Sequence, residues 1–280
     1  MMKEINQNLT EDFGQEMYFN ERIAKEMIER EKNISHDVVS KSFEAILLIE
    51  FKNRNKLRIA DLGAGAYPID YFNFIEFLKR SEGKIYWVDQ SPFMLNHAQR
   101  SIPREFQNIF EFKKEEMMGF LERKRRELDG IIFKYSFNYI TQYSLEKKLK
   151  MVYESLEKGG KVFANIHFYE EEGMEERSYN AVYKIKGKKN IIGYKPKDNE
   201  IIEIEFLKRG GDKKINPEIF AKTKIVYYSR KYIIETAQKI GFSEIKIFND
   251  WRENKKWENF FKHLNPGMKA KSNTFLYLCR

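Results

Sequence analysis

Cysteine is nearly absent from this chain of 280 residues, in which Cys279 is the single example. One cysteine can form neither an internal disulfide nor a cluster of thiolate ligands, so we expect a reducing, cytoplasmic location. Long apolar runs are also missing: the longest aliphatic run covers residues 45–49, whereas a membrane-spanning helix needs about 18 residues. Residues 1–7 contain no apolar stretch that would serve as a signal peptide. The sequence therefore predicts neither a secreted protein nor a membrane protein.

Aromatic residues, in contrast, are abundant at 15% of the chain, and apolar residues make up 42%. Disordered chains lack such residues and cannot offset the entropy of an ordered backbone, so we expect a folded protein. The 51 basic and 42 acidic residues give a net charge of +9, but the two signs are mixed along the chain. Mixed charges are more typical of a solvated surface than of a nucleic-acid groove.

Short apolar segments alternate with amphipathic ones through the middle of the chain. Strands are predicted at residues 57–60, 85–88, 109–112, 130–133 and 161–166, with helices between them that include 91–101 and 145–156. Strands that alternate with helices of this length indicate a parallel sheet that is covered on both faces. The sequence therefore predicts a doubly wound α/β fold.

Several residues mark the expected ends of helices. Ser91 followed by Pro92 is typical of a helix start. Another helix is predicted to begin at Ser229 and to end at Gly241. The Lys-Gly-Gly sequence at residues 158–160 is expected to end a helix and to lead into the fifth strand.

The alternation of strands and helices is absent from two regions. Residues 1–55 carry apolar side chains at three- and four-residue spacing, which predicts an N-terminal helical cap. Residues 168–226 contain alternating apolar stretches separated by turn signals, which predicts a small antiparallel β insert that serves as a substrate or lid subdomain. The alternation then resumes, so residues 56–167 and 227–280 are assigned to one α/β domain.

The segment richest in chemical information lies where the first strand turns into the first helix. Residues 61–68 read Asp-Leu-Gly-Ala-Gly-Ala-Tyr-Pro, and open α/β sheets bind ligands at this edge. Gly63 and Gly65 permit a sharp turn and a close approach of a ligand to the backbone. A dinucleotide site needs a third glycine where Pro68 stands, and a P-loop needs a Gly-Lys-Ser/Thr sequence that is missing. Sites for nicotinamide cofactors and nucleoside triphosphates are therefore disfavoured.

This acid-x-Gly-x-Gly loop resembles the first motif of the class I S-adenosylmethionine-dependent methyltransferases. Further segments are similar to that family's motifs and follow in the same order, namely Asp89 after the second strand and residues 128–137, 156–162 and 228–242. The resemblance spans residues 57–280 apart from the insert. It implies a mostly parallel seven-stranded sheet of Rossmann-like type, with S-adenosyl-L-methionine as cofactor and S-adenosyl-L-homocysteine as product.

The resemblance also implies how the chain holds the cofactor. Asp61 and the backbone of Gly63, Ala64 and Gly65 would bind its methionine part. Asp89 would bind the ribose, because an ionised carboxylate is an acceptor-only group that suits two hydroxyl donors.

Further cofactor contacts are assigned to Gln90, Met94, Glu115, Tyr135 and Tyr18. Gln90 and Met94 would lie near the adenine, although plain core packing is an equal alternative for Met94. The adenine amino group would bind Glu115 or its neighbour Glu116. Tyr67 stands where many family members have a third glycine, so it either points away from the cofactor or shapes the floor of the pocket.

The absence of several family motifs narrows the class of molecule that could accept the methyl group. The chain has no Asp/Asn-Pro-Pro-aromatic segment of the kind used on exocyclic base amines, and no glutamate pair follows the fourth strand. Cys279 is too near the end of the chain to suit the covalent cysteine of pyrimidine-C5 enzymes, and no acidic cluster resembles a catechol-type metal site. We therefore expect a small-molecule acceptor, methylated at nitrogen or oxygen, and no metal.

Two residues are candidates for catalysis. His167 directly follows the fifth strand and is the candidate general base, because imidazole titrates near neutral pH. Tyr139 lies just past the fourth strand, where an acceptor would dock. A structural role is the alternative for each residue.

Two other functions stay open at this point. An RNA or ribosome-associated methyltransferase would account for the +9 charge and the Lys-rich insert. A non-catalytic cofactor-binding protein of the same fold is the second alternative. No membrane partner is expected, and the sequence does not indicate an oligomeric state.

Overall fold

The computed structural model describes residues 21, 24–25, 28–29, 38–168, 183–186, 190–197, 200–208, 219–248 and 274–280. Tyr18, predicted to contact the cofactor, lies outside these residues. In the part of the chain that is described, no helix has the length and apolar character needed to cross a membrane.

A mixed sheet forms the centre of the described structure. Its strands are β1 (Arg58–Leu62), β2 (Lys84–Asp89), β3 (Phe110–Lys114), β4 (Leu128–Phe133) and β5 (Leu156–Ile166), joined by two later strands. The four insert strands come next in the chain, as β6 (Tyr183–Lys186), β7 (Asn190–Lys197), β8 (Glu200–Lys208) and β9 (Ile219–Tyr228). The last two central strands are β10 (Glu244–Phe248) and β11 (Thr274–Cys279).

The central sheet has seven strands in the order β10-β11-β5-β4-β1-β2-β3. Strands β1 to β5 pair in parallel, whereas β11 runs antiparallel to both β5 and β10. The predicted doubly wound, mostly parallel seven-stranded sheet is confirmed.

Six helices of the described residues cover the two faces of this sheet. They are α1 (Val38–Phe51), α2 (Phe72–Arg80), α3 (Pro92–Ser101), α4 (Met117–Arg123), α5 (Leu145–Ser155) and α6 (Arg230–Ile240). Helices α1, α2 and α3 share one buried apolar cluster with the sheet, and α4, α5 and α6 share another on the opposite face. Alternate residues of β5 illustrate this division, since Phe163 belongs to the first cluster while Val162 and Ala164 belong to the second.

Local hydrogen bonds explain why two helices begin and end where the sequence predicts. The Ser91 hydroxyl accepts the Met94 N–H at 3.3 Å, and the Ser229 hydroxyl accepts the Tyr232 N–H at 3.0 Å. Both serines thus satisfy a backbone donor that the first helical turn leaves free. Gly241 ends α6 with φ = 108°, a conformation that costs least for glycine.

Contrary to the prediction from the sequence, the Gly-Gly pair at residues 159–160 does not end a helix. Helix α5 ends at Ser155, and β5 begins at Leu156, so both glycines lie inside the strand. The N–H of Gly159 donates to the Arg280 carbonyl and the Arg280 N–H donates to Gly160, each at 3.0 Å. The predicted strand at residues 161–166 is present within β5, but its start was placed five residues too late, because the partners of the two glycines lie at the far end of the sequence.

The insert contains a four-stranded antiparallel sheet in the order β6-β7-β8-β9. This agrees with the antiparallel insert predicted after β5. Strand β9 continues to Tyr228, which forms a parallel bridge with Phe168 just after β5. The insert therefore returns to the central sheet beside the strand from which it leaves, while the division of the chain into domains stays a prediction.

A buried ion pair attaches α1 to the sheet. Lys161 Nζ lies 2.8 Å from Glu50 Oε2, and the two side chains are 17% and 2% exposed. The ammonium also lies 5.5 Å from the centre of the Phe51 ring. Because Glu50 has almost no contact with water, removal of Lys161 would leave a buried carboxylate without this partner.

We predict that Lys161→Met lowers the free energy of unfolding by about 3 kcal/mol, the usual cost of breaking a buried pair. The double variant Glu50→Gln/Lys161→Met should recover most of this loss, since neither charge then remains. The control is Lys239→Met, which breaks an exposed pair with Glu146 at 2.9 Å and should cost less than about 1 kcal/mol. Urea unfolding measures all three, and equal losses for Lys161→Met and Lys239→Met would contradict the prediction.

Candidate functional site

The candidate site lies at the carboxyl edge of the parallel strands, where the strand order reverses between β1 and β4. Open α/β sheets bind ligands in the crevice at this point. Asp61 lies near the end of β1, paired in register with Trp87 of β2 and Ile132 of β4, and is fully buried. The predicted acid is therefore central in the sheet and next to the crevice.

The loop after β1 has a backbone that requires glycine. Gly63 and Gly65 have φ values of 66° and 71°, in the left-handed region that side chains disfavour. A Cβ on Gly63 would also lie 2.6 Å from Ser136 Cβ and 3.2 Å from Met117 Sδ. Ser136 follows β4 closely, and its hydroxyl donates to the Leu62 carbonyl. The loop is thus packed directly against the segment after β4.

The end of β2 holds this loop through its backbone. The N–H groups of Gly63 and Ala64 both donate to the Val88 carbonyl, at 2.9 and 3.0 Å. These two bonds extend the pairing of β1 with β2 beyond the last residue of β1. The loop therefore cannot move independently of β2.

Two side chains of β2 fix Gly65 from both of its peptide groups. The Gly65 N–H donates to Asp89 Oδ2 at 3.0 Å, and its carbonyl accepts the Trp87 indole N–H at 2.9 Å. Trp87 is fully buried, so its indole has a fixed position. The predicted methionine-binding loop and the predicted ribose-binding acid are therefore directly bonded to each other.

The Asp89 carboxylate combines burial with backbone hydrogen bonds. Its Oδ1 accepts the Ser91 N–H at 2.8 Å, and the N–H groups of Gly65 and Gln90 also bond to it. Burial raises the pKa of Asp89 above the ordinary aspartate value, and these three bonds counteract part of that rise. Each carboxylate oxygen has two lone pairs, so Asp89 retains acceptor capacity for a ligand.

The residues predicted near the adenine lie beside Asp89. Met94 is 1% exposed and packs with Ala66, while Gln90 is half-buried. The Glu115 N–H donates to the Asp89 carbonyl at 3.2 Å, and its carboxylate pairs with Arg123.

Glu116, the alternative to Glu115, has another role in the structure. Its carboxylate accepts the Gly119 N–H at 2.7 Å and caps the start of α4. Both carboxylates are therefore engaged within the protein, Glu115 by Arg123 and Glu116 by the start of α4, and the adenine contact stays a prediction.

Tyr135 has an unusual backbone for its residue type. It lies two residues after β4 with φ = 59°, which is uncommon for any residue other than glycine, asparagine or aspartate. Strained backbone of this kind is concentrated at ligand sites. Lys56, Glu82 and Arg126 share this conformation, so the contact of Tyr135 with the cofactor stays a prediction.

Asn138 joins the loop after β4, the residue after β5 and the end of β9. It was not identified from the sequence. Its Nδ2 donates to the carbonyls of His167 at 3.0 Å and Val226 at 2.7 Å, while its Oδ1 accepts the His167 N–H at 2.9 Å. Asn138 is 2% exposed. It therefore fixes the residue after β5 and the end of β9 relative to the loop after β4.

The predicted catalytic residues lie on the elements that Asn138 connects. Tyr139 ends the short 3₁₀ turn Phe137–Tyr139 and is half-buried. The half-buried His167 ring has its centre 6.5 Å from that of Tyr227, a residue of β9. His167 and the end of the insert are thus neighbours, and the catalytic roles of His167 and Tyr139 stay predictions.

A buried lysine also holds the loop that follows β4 and carries Tyr139. Lys148 of α5 has no solvent exposure, and its Nζ donates to the Ile140 carbonyl at 2.6 Å and to the Tyr228 hydroxyl. The ammonium lies 4.5 Å from the centre of the Tyr228 ring. Lys148 therefore ties the loop that carries Tyr139 to the end of β9.

No motif or residue spacing marks these supporting residues in the sequence. Trp87 lies in an ordinary apolar strand, and Asn138 and Lys148 have their partners in segments that are distant in the chain. The useful signal is polar character at a position that the surrounding apolar pattern predicts to be buried, as at Lys148 between Leu145 and Leu149.

We predict that Gly63→Ala destabilises the fold more than Gly159→Ala does. Both glycines have positive φ, so both variants carry the backbone cost of about 1–2 kcal/mol. Only at Gly63 would the new Cβ clash with Ser136, because nothing lies within 4 Å of a Cβ at Gly159. The measurement is urea unfolding of the two variants beside the native protein. Equal midpoints would show that the loop tolerates a methyl group.

Comparisons with known proteins identify the fold. No protein-family model matches the chain, and no curated protein matches it. A solved S-adenosylmethionine-dependent methyltransferase from Clostridium acetobutylicum matches with a TM-score of 0.53 and 18% identity, over 91% of this chain and 97% of that one. CalS10, an amino pentose methyltransferase from Micromonospora echinaspora, has a TM-score of 0.53 and 12% identity, over 91% and 96%. The sugar N-methyltransferase KedS8 from Streptoalloteichus has a TM-score of 0.53 and 9% identity, over 91% and 92%. The chain therefore has the fold of the class I S-adenosylmethionine-dependent methyltransferases.

Proposed function

We propose that the protein is an S-adenosylmethionine-dependent methyltransferase that acts on a small-molecule acceptor at nitrogen or oxygen. The observation that carries this proposal is the hydrogen bond between the Gly65 N–H and Asp89 Oδ2. It joins a glycine loop and an acid of the types and positions that the ordered motifs imply. The Asp89 carboxylate keeps acceptor capacity beyond its three backbone bonds, at the edge of the sheet where such folds bind ligands.

The residues present fit this cofactor. Gly63 lets the loop pack directly against Ser136, which fixes the loop backbone at the carboxyl edge of the sheet where a ligand would bind. Asp89 supplies an acceptor-only group for two vicinal hydroxyls. The ionised form of Asp89 would also add negative charge near a cofactor that carries a positive sulfur.

The bound cofactor would supply an electrophilic methyl group: an acceptor nucleophile would attack the methyl carbon in line with the carbon–sulfur bond, and S-adenosylhomocysteine would be the leaving group. Such a reaction depends mainly on positioning. In our proposal Asp89 and the loop of residues 63–65 orient the cofactor, and Tyr135 lines the crevice beside it. His167 accepts a proton from the acceptor, and Tyr139 forms part of the acceptor wall.

Several observations support a small acceptor. Two of the structural neighbours are described as methyltransferases of an amino pentose and of a sugar nitrogen. The insert reaches the site through β9, so its end at Tyr227 and Tyr228 limits the space beside His167. Hydroxyl and amine groups of a polar small molecule suit this mixture of aromatic and polar side chains.

The densest basic run of the described residues is Arg-Lys-Arg-Arg at residues 123–126, and it gives little support to an RNA acceptor. Arg123 pairs with Glu115, and Lys124 pairs with Glu127 at 2.8 Å. The Lys124 ammonium also lies 4.7 Å from the centre of the Tyr86 ring. Half of this four-residue run is therefore engaged within the protein rather than presented to phosphates.

The proposal is tested first by calorimetry of the native protein with S-adenosylmethionine. Binding at micromolar concentration is expected, and no binding at millimolar cofactor would exclude a methyltransferase of any acceptor class. Transfer of a radiolabelled methyl group is then measured on a panel of amino sugars, other amines and hydroxyl compounds, with bulk RNA as a separate arm. Label in RNA that declines steeply with salt would favour the RNA acceptor instead.

We predict that Asp89→Asn weakens S-adenosylmethionine binding at least about tenfold, because a charge-assisted bond to the ribose is lost. The matched control is Asp129→Asn at the opposite edge of the sheet. Asp129 is also buried, and it accepts the Arg58 N–H at 2.8 Å and pairs with Arg54. The control should bind the cofactor normally in the same calorimeter. Unchanged affinity for Asp89→Asn would show that the ribose lies elsewhere.

The raised pKa of Asp89 gives a further prediction. The hydroxyl donors require the ionised carboxylate, and burial favours its protonated form. As pH falls, cofactor affinity should therefore decline at a higher pH than an ordinary aspartate would produce. Titrations between neutral pH and the onset of acid unfolding measure this decline. Asp89→Asn has no carboxylate to protonate, so a parallel decline in that variant would refute the assignment.

A further inference from the structure

Five described residues near the start of the chain are helical, and we name them the cover segment: Glu21, Ala24, Lys25, Ile28 and Glu29. Ala24 and Ile28 are 0% and 8% exposed. Lys25 and Glu21 form an ion pair on the solvent side, with side chains 71% and 59% exposed. The cover segment therefore has one buried face and one solvated face, as expected for a helix that packs on a protein surface.

The buried face of the cover segment meets the candidate site. Ile28 packs in a small apolar cluster with Ala66 and Met94. Ala66 belongs to the glycine loop, and Met94 lies in the first turn of α3. These are the two elements whose backbone N–H groups bond to Asp89. Ile28 thus bridges both walls that flank the Asp89 carboxylate.

Tyr67 adds a directional contact to this apolar bridge. Its hydroxyl donates to the Ile28 carbonyl at 2.7 Å. Its ring meets the His97 ring of α3 edge to face, with the centres 5.2 Å apart. Tyr67 therefore connects the glycine loop, α3 and the cover segment, and a glycine at this position would make neither contact.

We propose that Tyr67 is a positioning residue that holds the cover segment across bound S-adenosylmethionine and slows its release. This inference rests on the proposed function of the same site. Ile28 contacts both elements that donate to Asp89, so in this proposal a ribose bound at Asp89 would be released when this bridge opens. Opening breaks the Tyr67–Ile28 hydrogen bond and exposes the Ile28 side chain. Tyr67 acts through the cover segment and needs no contact with the cofactor.

The experiment compares dissociation of S-adenosylmethionine from the native protein and from Tyr67→Phe, by stopped-flow displacement with excess S-adenosylhomocysteine. Phenylalanine keeps the ring contact with His97 and removes only the hydroxyl. We expect dissociation about threefold to tenfold faster, the range for loss of one uncharged hydrogen bond, with little change in association. An unchanged dissociation rate would overturn the proposal.

The matched control is Tyr153→Phe, which removes a hydroxyl from a tyrosine outside the site. Tyr153 lies on α5, and its ring meets Phe242 at 5.1 Å and the Arg280 guanidinium at 4.6 Å. Its dissociation rate should equal that of the native protein. An equal acceleration in Tyr153→Phe would assign the effect to general loosening and overturn the specific role of Tyr67.

Proteolysis gives a second readout, which follows opening of the cover segment rather than dissociation of the cofactor. Lys25 is exposed, so trypsin cleavage after Lys25 reports opening of the cover segment. In the native protein S-adenosylmethionine should slow this cleavage, and Tyr67→Phe should weaken the protection. Cofactor binding without any protection would overturn the proposal, whereas absence of binding to the native protein would instead refute the proposed function on which it rests.

Discussion

The hydrogen bonds that join the end of β2 to Gly65 are the constraint on which the site depends. Asp89 accepts the Gly65 N–H and Trp87 donates to its carbonyl, so one residue is held from both sides by one strand. Because Trp87 is buried and β2 lies inside the sheet, this geometry is inherited from the core. The glycine loop is therefore preorganised, and the proposed cofactor would bind without first ordering it.

The proposed site has a cofactor side and an acceptor side, and the two are built in different ways. The cofactor side uses short loops that directly follow β1 and β2, so its residues are close in the chain as well as in space. The acceptor side is assembled around Asn138, whose partners lie 29 and 88 residues away. The chemistry of such a side follows from long-range contacts rather than from the fold class.

This difference explains what the sequence predicts. Helix starts at Ser91 and Ser229 were confirmed because a cap depends on residues within one turn. The parallel core of the sheet followed from the alternation of strands and helices. The Gly159–Gly160 segment was assigned wrongly, and Asn138 and Lys148 were missed, because their partners are distant in sequence. Polar residues buried by such contacts carry no period and no spacing that a local pattern would reveal.

The position of β11 also constrains the order in which the sheet is completed. Among the described strands β11 comes last in the chain, yet it lies between β5 and β10. Until β11 is added, β5 has an open edge on that side and β10 has no neighbour in the central sheet. The nascent chain therefore carries an unpaired, largely apolar strand edge until its last strand is made, and open edges of this kind promote association between chains.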